Sequence, residues 1–392
     1  DWSLAMPLIS LEMYFYRRVL DCTGYFGAAS GESEGGGEQE GGAVLKDPFE
    51  GMKSEALTSA MQSDVLKSTL EKHLTFVRAV AAGGSLADYW ADDTGRKNKF
   101  YSALASTNLP AFFGACESAL KDALKASLWG NRGDLALAPS DKSNTQEACR
   151  IEQKSDGHDP NLLVDDANTI FEHFLSTGKL NSGGGRVDIV LDNSGIELLC
   201  DMVLADVLLT YGVVTSVRLH AKGEPLFISD AMPKDILNHV SALLASAEPL
   251  LHEFGTRIHR LLQDGALEVC SHQFWTAPRL FWEMPISLAA DLATSRLVIV
   301  KGDANYRRLI GDRQWTPTTP LAQVVSPWFP THLAALRTMK AEVAVGLKEG
   351  QAEATRATDA NWWTSGKYGS IQFVPFQKGQ KEITVGTDGE NI

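Results

Sequence analysis

The sequence predicts an α/β fold: a three-layer, doubly wound, mostly parallel sheet preceded by a helical N-terminal region. Past residue 180, short β-branched runs such as VDIVL (187–191) and LVIV (297–300) alternate with helical patterns of roughly 10–15 residues, as in successive βαβ units. Before residue 180, apolar residues recur at helical spacing instead. Of the 392 residues, 44% are hydrophobic and 22% charged, which supplies a large core and excludes a disordered or collagen-like chain.

From the N-terminus, LEMYFYRRVL (11–20) is strongly apolar, with a spacing that suits a helix. Residues 27–43 hold seven glycines, four glutamates and no base, and read as a flexible surface insertion. Helical spacing then runs from Ser54 to about Leu128, for example through Leu57, Met61 and Val65 and through Phe112, Cys116, Leu120 and Leu124. Ala138 to Asp159 reads as a second polar loop. After VDIVL come an expected helix from about Gly195 to Leu209 and a strand from Val213 to His220. Helices from Lys234 to Ala247 and from Leu250 to Gln263 follow, then strands at Ala266 to Cys270, Leu297 to Val300 and Leu333 to Leu336. The expected organisation is a helical region over 1–180 and a Rossmann-like catalytic unit over 181–392, with no internal repeat.

Forty-nine acidic against 36 basic residues leave a net charge of −13, which argues against nucleic acid but leaves room for a local pocket that binds a small anion. The five cysteines form no CxxC pair, and Cys200 and Cys270 sit in apolar surroundings. Reduced, buried thiols of an intracellular protein are the simplest reading. No run has the length of a transmembrane helix and no signal segment opens the chain, so the expected setting is the cytoplasm, with the nucleus as a second compartment. The chain opens on Asp1 rather than Met, which weakens the second of those arguments.

In open α/β sheets, ligands bind beyond the carboxyl ends of the strands, near the point where strand order reverses. Three acidic positions follow apolar runs read as strands: Asp192 with Asn193 after VDIVL, Asp230 after PLFIS, and Asp303 with Asn305 after LVIVKG. Oxygen ligands without His or Cys suit a hard divalent cation such as Mg²⁺ or Mn²⁺. A single Asp at such a place ordinarily caps a helix, but three in one unit shift the balance toward a metal site. Cations stand close by, in Tyr306–Arg307–Arg308 and in Arg337–Thr338–Met339–Lys340, and suit an anionic substrate.

Glu197 lies one turn from Asp201 and close enough to Asn193 to join the site, whereas Asp201 is expected to face solvent. Trp129 to Asp134 ends the helical region, either as a simple helix stop or as a wall of the site. Trp275, Trp282 and Trp315 are read as core and pocket wall. No GxxxxGK[ST] or GxSxG motif is present, no GxGxxG turn follows the first clear strand, and the histidines show no ligand spacing.

Four ordered segments, LDNSGIELLCDMVLADVLL, HAKGEPLFISDAMPKD, LVIVKGDANYRRLIGDRQW and LRTMK, resemble the metal-dependent damage-control phosphatase family, and RTMK resembles the RTxK signature of its subfamily III. The resemblance is close over 180 to about 375 and looser over EMYFYRR and SLWGNRGDLAL. It implies that Asp192, Asn193 and Asp230 ligate a divalent metal, typically Mn²⁺, Ni²⁺ or Co²⁺, with Mg²⁺ also admissible. Asp192 and Asn193 would also touch the substrate, the segment Asp303, Asn305, Tyr306 and Arg307 would bind it, and Lys340 would hold its phosphate. The implied catalytic set is Asp192, Asn193, Asp230 and Lys340.

The implied activity is hydrolysis of phosphate monoesters of small metabolites, such as fructose 1-phosphate and fructose 6-phosphate, with neither nucleic acid nor membrane as partner. Members of the subfamily are also described as protein-glutamate carboxyl methyltransferases. In that reading Glu197 and Asp230 are the positions for S-adenosylmethionine, and Glu197 enters the substrate-binding set. The missing glycine-rich loop and a metal site that methyl transfer does not need weigh against it. A non-catalytic sugar-phosphate-binding protein is a third reading.

Overall fold

A computed structural model describes residues 6–26, 47–82, 109–131, 159–177, 185–210 and 212–377. The Gly/Glu-rich stretch 27–43, Cys149, residues 132–134 and all but the last residue of the expected loop 138–159 lie outside the described residues. The chain is α/β, as its alternating pattern predicts. Seven strands form one sheet: β1 (Leu162–Asp165), β2 (Arg186–Val190), β3 (Ser216–Ala221), β4 (Leu267–Ser271), β5 (Leu297–Lys301), β6 (Leu333–Thr338) and β7 (Gly369–Val374). Their order is β1-β7-β6-β5-β2-β3-β4. The five from β6 to β4 run parallel, β7 is antiparallel to β6, and β1 runs parallel to β7. Strand order reverses between β2 and β5, and the crevice there is where an open α/β sheet places its ligand.

Twelve α-helices are present among the described residues. Before β1 come α1 (Leu8–Cys22), α2 (Glu50–Gln62), α3 (Asp64–Ala82) and α4 (Leu109–Gly130), and after it α5 (Ala167–Thr177). The crossovers and outer layers add α6 (Ile196–Thr210), α7 (Pro233–Leu244), α8 (Pro249–Gln263), α9 (Ile286–Leu292), α10 (Asp303–Ile310), α11 (Leu321–Val325) and α12 (Gln351–Thr358). No helix among the described residues is long and apolar enough to cross a membrane.

Strand alternation sorts the core onto two faces. Ile299 joins the apolar cluster that includes Leu66, Leu120, Leu124 and Leu199, whereas Val298 and Val300 join the cluster of Phe274, Leu309 and Val325. The N-terminal helices thus share one core with the sheet. That explains why α6 is apolar all round: every residue from Glu197 to Thr210 is buried, with α4 on one side and strands on the other. Gly130, the last residue of α4, permits this approach, since a Cβ there would lie 2.8 Å from the Glu197 Cα.

Two sequence expectations need correction. PLFIS is a turn rather than a strand, because Phe227 and Ile228 take φ of 45° and 65°, which no strand accommodates. Asp201 does not face solvent: it is fully buried and paired with Lys301, Nζ to Oδ1 at 2.9 Å.

Candidate active site

The site is assembled at the β2/β5 crevice from loops that leave parallel strands. Leu191 leads β2 into Asp192 and Asn193, and Gly302 leads β5 into α10. Gly302 has φ of 84°, and a Cβ on it would lie 1.9 Å from the Asp192 Oδ2, so only glycine lets the two strand exits approach this closely. The third loop follows β3 and returns to the crevice at Asp230, which forms an isolated antiparallel bridge with Asn193. Ala231 N–H donates to the Asp192 carbonyl at 2.8 Å, and Ser194 N–H to the Ser229 carbonyl at 2.7 Å. Positive φ at the β-branched Ile228 costs on the order of 1–3 kcal/mol, and that strain is spent on setting Asp230 against Asn193.

Asp192, Asn193 and Asp230 are all buried and adjacent. The Asn193 amide donates to Asp192 Oδ2 and to Glu197 Oε2, both at 2.9 Å, while its Oδ1 accepts from Ser229 Oγ at 2.7 Å. Asp230 Oδ1 receives Lys222 Nζ at 2.6 Å, and the same ammonium lies 3.2 Å from Asp192 Oδ1. Asp230 Oδ2 is buried with no hydrogen-bond partner among the described residues. Burial pushes the Asp230 carboxyl up to about 7, with Lys222 pulling it back and the Asp192 charge adding to the rise.

Beneath them Lys301, fully buried, donates to Glu197 Oε1 and to the Ser127 carbonyl, each at 2.8 Å, and pairs with Asp201. Burial also pushes Asp201 up to about 7, opposed by Lys301.

Three residues here were not singled out from the sequence, or were left undecided. Lys222 and Lys301 are two of them. The third, Asn131, stands one residue past α4 and is 1% exposed. Its amide donates to Asp192 Oδ2 at 3.0 Å and Glu197 Oε2 at 2.6 Å, its Oδ1 accepts from Thr338 Oγ1, and its carbonyl accepts from Lys340 Nζ at 2.9 Å. The helical region therefore does wall the site, through this asparagine. The signal available was a polar residue directly after a long apolar helix, which also marks an ordinary helix stop.

The remaining candidates divide. Asp303 Oδ1 accepts Arg337 Nε at 2.7 Å and the Lys340 N–H at 3.2 Å, which ties the end of β6 to the start of α10. Asn305 donates to the Leu191 and Lys301 carbonyls at 3.0 and 2.9 Å and braces the two strand exits. Tyr306 directs its hydroxyl to Gln372 at 2.8 Å, under the Arg337 guanidinium 4.5 Å from its ring. Arg307 is clamped by Glu12 and Asp312 and Arg308 by backbone carbonyls, so neither guanidinium is spare.

The donor set suits a hard cation. Asp192, Asn193 and Asp230 offer oxygen, and the Asp230 Oδ2 is an orphaned buried acceptor. Buried acids and bases stand together here, Asp192, Glu197, Asp201, Asp230 and Asp303 beside Lys222, Lys301 and Arg337. A second acidic cluster, Asp47, Glu50 and Asp235, has its acidic atoms within ligand reach of one another. Lys53 bridges Asp47 and Asp235 at 2.9 Å each, and Lys234 pairs with all three acids. Two ammonium groups already stand among those three acids, and the cluster fastens α2 to α7.

Carboxylates, amides and cations gathered at the reversal point of a doubly wound sheet define the class: an α/β protein with a polar crevice where such sheets place their ligands. The family described as the damage-control phosphatase ARMT1-like domain matches residues 3–355, and the chain belongs to that family. Relatives named damage-control phosphatase ARMT1 are 36% identical over 256 residues in Danio rerio, 38% over 254 in Mus musculus and 35% over 268 in Homo sapiens. These alignments cover 64–66% of this chain and 57–60% of the relatives, so the chain spans somewhat more than half the length of the curated relatives it matches. A DUF89 family protein from Pyrococcus horikoshii, known from its crystal structure, shares 13% identity at a TM-score of 0.33, covering 77% of this chain and 94% of that one.

Proposed function

We propose that the protein is a metal-dependent phosphatase of small phosphorylated metabolites, hexose phosphates such as fructose 1-phosphate and fructose 6-phosphate among them. The reading takes RTMK as the subfamily III signature and places the activity in the cytoplasm, with the nucleus as a second compartment. The observation that carries it is the orphaned Asp230 Oδ2 beside Asp192 and Asn193, with Lys340 fixed to the same asparagine that holds Asp192.

Asp192, Asn193 and Asp230 hold the divalent ion, with Mn²⁺, Ni²⁺ or Co²⁺ as first candidates and Mg²⁺ compatible with the same oxygens. A bound ion there supplies positive charge to a phosphoryl oxygen and makes a water molecule more acidic. Lys340 meets the phosphate from the opposite rim and stabilises the charge that builds as the ester bond breaks. Asp303 begins α10, whose first backbone N–H groups have no intrahelical acceptor and favour an anion at the crevice. This is how the 303–307 segment contributes while its Tyr306 and Arg307 side chains stay paired elsewhere. Water rather than Asp192 is the nucleophile in this reading, because the Asn131 and Asn193 amides already bind Asp192 Oδ2 and blunt its attack.

S-adenosylmethionine chemistry is less well served. Glu197, which it needs free, receives Asn131, Asn193 and Lys301.

Chelator-stripped protein is offered a panel of sugar phosphates with and without Mn²⁺, Ni²⁺, Co²⁺ or Mg²⁺, and phosphate release is measured. Release should require metal and should fall by at least about 100-fold in Asp230→Ala, the scale expected for losing a group that stabilises transition-state charge. Release without metal, or retained in the variant, would remove the reading.

A further inference from the structure

Lys222 is not among the residues that the family resemblance implies for the site. It is the first residue after β3, is 3% exposed, and its backbone N–H is tied to the Ala231 carbonyl at 2.9 Å. Its side chain reaches between the two carboxylates proposed to ligate the metal, touching one oxygen of each, Asp230 Oδ1 at 2.6 Å and Asp192 Oδ1 at 3.2 Å. Two carboxylates buried this close repel unless a cation stands between them. The Lys222 ammonium stands between them, within ion-pair distance of both, so the chain supplies this cation itself.

We propose that Lys222 is a resident cation that fills the gap between Asp192 and Asp230 while no metal is bound and withdraws from them when a divalent ion arrives. The proposal rests on the metal-site reading above. Asp230 keeps its Oδ2 for an ion, but Asp192 Oδ2 already accepts Asn131 and Asn193, so ion and ammonium compete for Asp192 Oδ1 and the stronger charge takes it. Lysine suits an exchangeable role: it is a point charge on a flexible four-carbon stem, whereas arginine makes fixed, forked contacts. A place to withdraw to is already adjacent. The Phe227 ring centroid is 6.0 Å from Lys222 Nζ, at the limit of cation–π attraction, on the same turn that carries Asp230. The site thereby stays neutralised and folded when empty, and every metal ion binds against a competitor that the protein carries.

The test is Mn²⁺ binding by calorimetry to chelator-stripped wild type, Lys222→Met and Lys222→Arg, with thermal unfolding of each protein with and without Mn²⁺. Lys222→Met should bind Mn²⁺ at least about tenfold more tightly, equivalent to about 1.4 kcal/mol. Metal-free, it should melt below wild type, and saturating Mn²⁺ should raise its Tm by more than it raises that of wild type. Lys222→Arg keeps the charge in a fixed, forked form and should bind Mn²⁺ no more tightly than wild type. Lys222→Gln gives the same comparison should the Met variant fail to fold. Equal or weaker Mn²⁺ binding by the neutral variants, with wild type binding normally, overturns the role of Lys222 and leaves the metal site standing. Absence of Mn²⁺ binding by every protein, wild type included, overturns the metal site and this proposal with it.

Discussion

Asn131 shows how one residue coordinates two chemistries. Its side-chain amide holds Asp192, on the side proposed for the metal, and its backbone carbonyl holds Lys340, on the side proposed for the phosphate. Asn131→Asp replaces two donated hydrogen bonds by a carboxylate facing Asp192 and Glu197. The cost should be about 1–3 kcal/mol in stability for the unsatisfied, repelling oxygens, read by urea unfolding. Metal-dependent phosphate release should fall further in Asn131→Asp than in Asn131→Ala, which removes the bonds without adding charge.

At this scale the sequence exposed half of the site. Asp192, Asn193 and Asp303 were legible because they follow β-branched runs, and strand exits are where α/β sheets bind ligands. Lys222 and Lys301 were not, because a lysine is read as exposed unless its acidic partners are known. Those partners lie 30 and 104 positions away in the bonds of Lys222 to Asp192 and Lys301 to Glu197. Asp201 was misread for the same reason: only Lys301 and Ser127, brought in by other elements, make its burial tolerable.

Among elements, helices and interior strands followed their periodicity, and failures fell where pairing is non-local. β1 has four residues and follows a polar stretch, and β7 is GSIQFV, so neither announces itself. Each is defined by its neighbours in the sheet. PLFIS has the composition of a strand, but backbone left-handedness at Phe227 and Ile228 turns it aside to place Asp230. The approach of α4 to α6 is similarly set by a single missing side chain. Gly130→Ala puts a methyl 2.8 Å from the Glu197 Cα, against backbone that cannot swing away. Separation of the two helices should cost about 1–3 kcal/mol, as other overpacked cores do. Because Asn131 is the next residue, phosphate release should drop with it, a coupling that unfolding curves and activity assays on one preparation would expose.

For the molecule as a whole, acid sensitivity offers a test away from the site. His173 on α5 packs at a tilt against His332, ring centroids 4.1 Å apart, and against Phe373 of β7 at 5.1 Å. Burial pushes His173 down to about 4 from 6.5, with the neighbouring His332 adding to the shift. Between those values the unfolded chain takes up a proton that the folded chain refuses, so this histidine makes the fold less stable as pH falls from about 6.5 to 4. Asp201 and Asp230, raised to about 7, work in the opposite sense over nearly the same range, because the folded chain keeps protons that the unfolded chain has lost. A wild-type melt alone therefore mixes the two. The difference in Tm between His173→Phe and wild type isolates the histidine, and it should move in favour of the variant on going from pH 7.5 to pH 5. A difference that stays flat with pH would show that His173 takes up its proton equally in the folded and unfolded chain, with no shift from burial.

The bond between Lys340 and Asn131 closes 209 residues of chain. A ribosome adding about 5–20 residues per second leaves a gap of roughly 10–40 s between the emergence of the two partners. During that interval the apolar segment of α4 has been synthesised while the strands it will cover are still being made. Lys222 is synthesised before Asp230 and is ready when that carboxylate arrives. The nascent chain thus carries its own cation for these acids from the start.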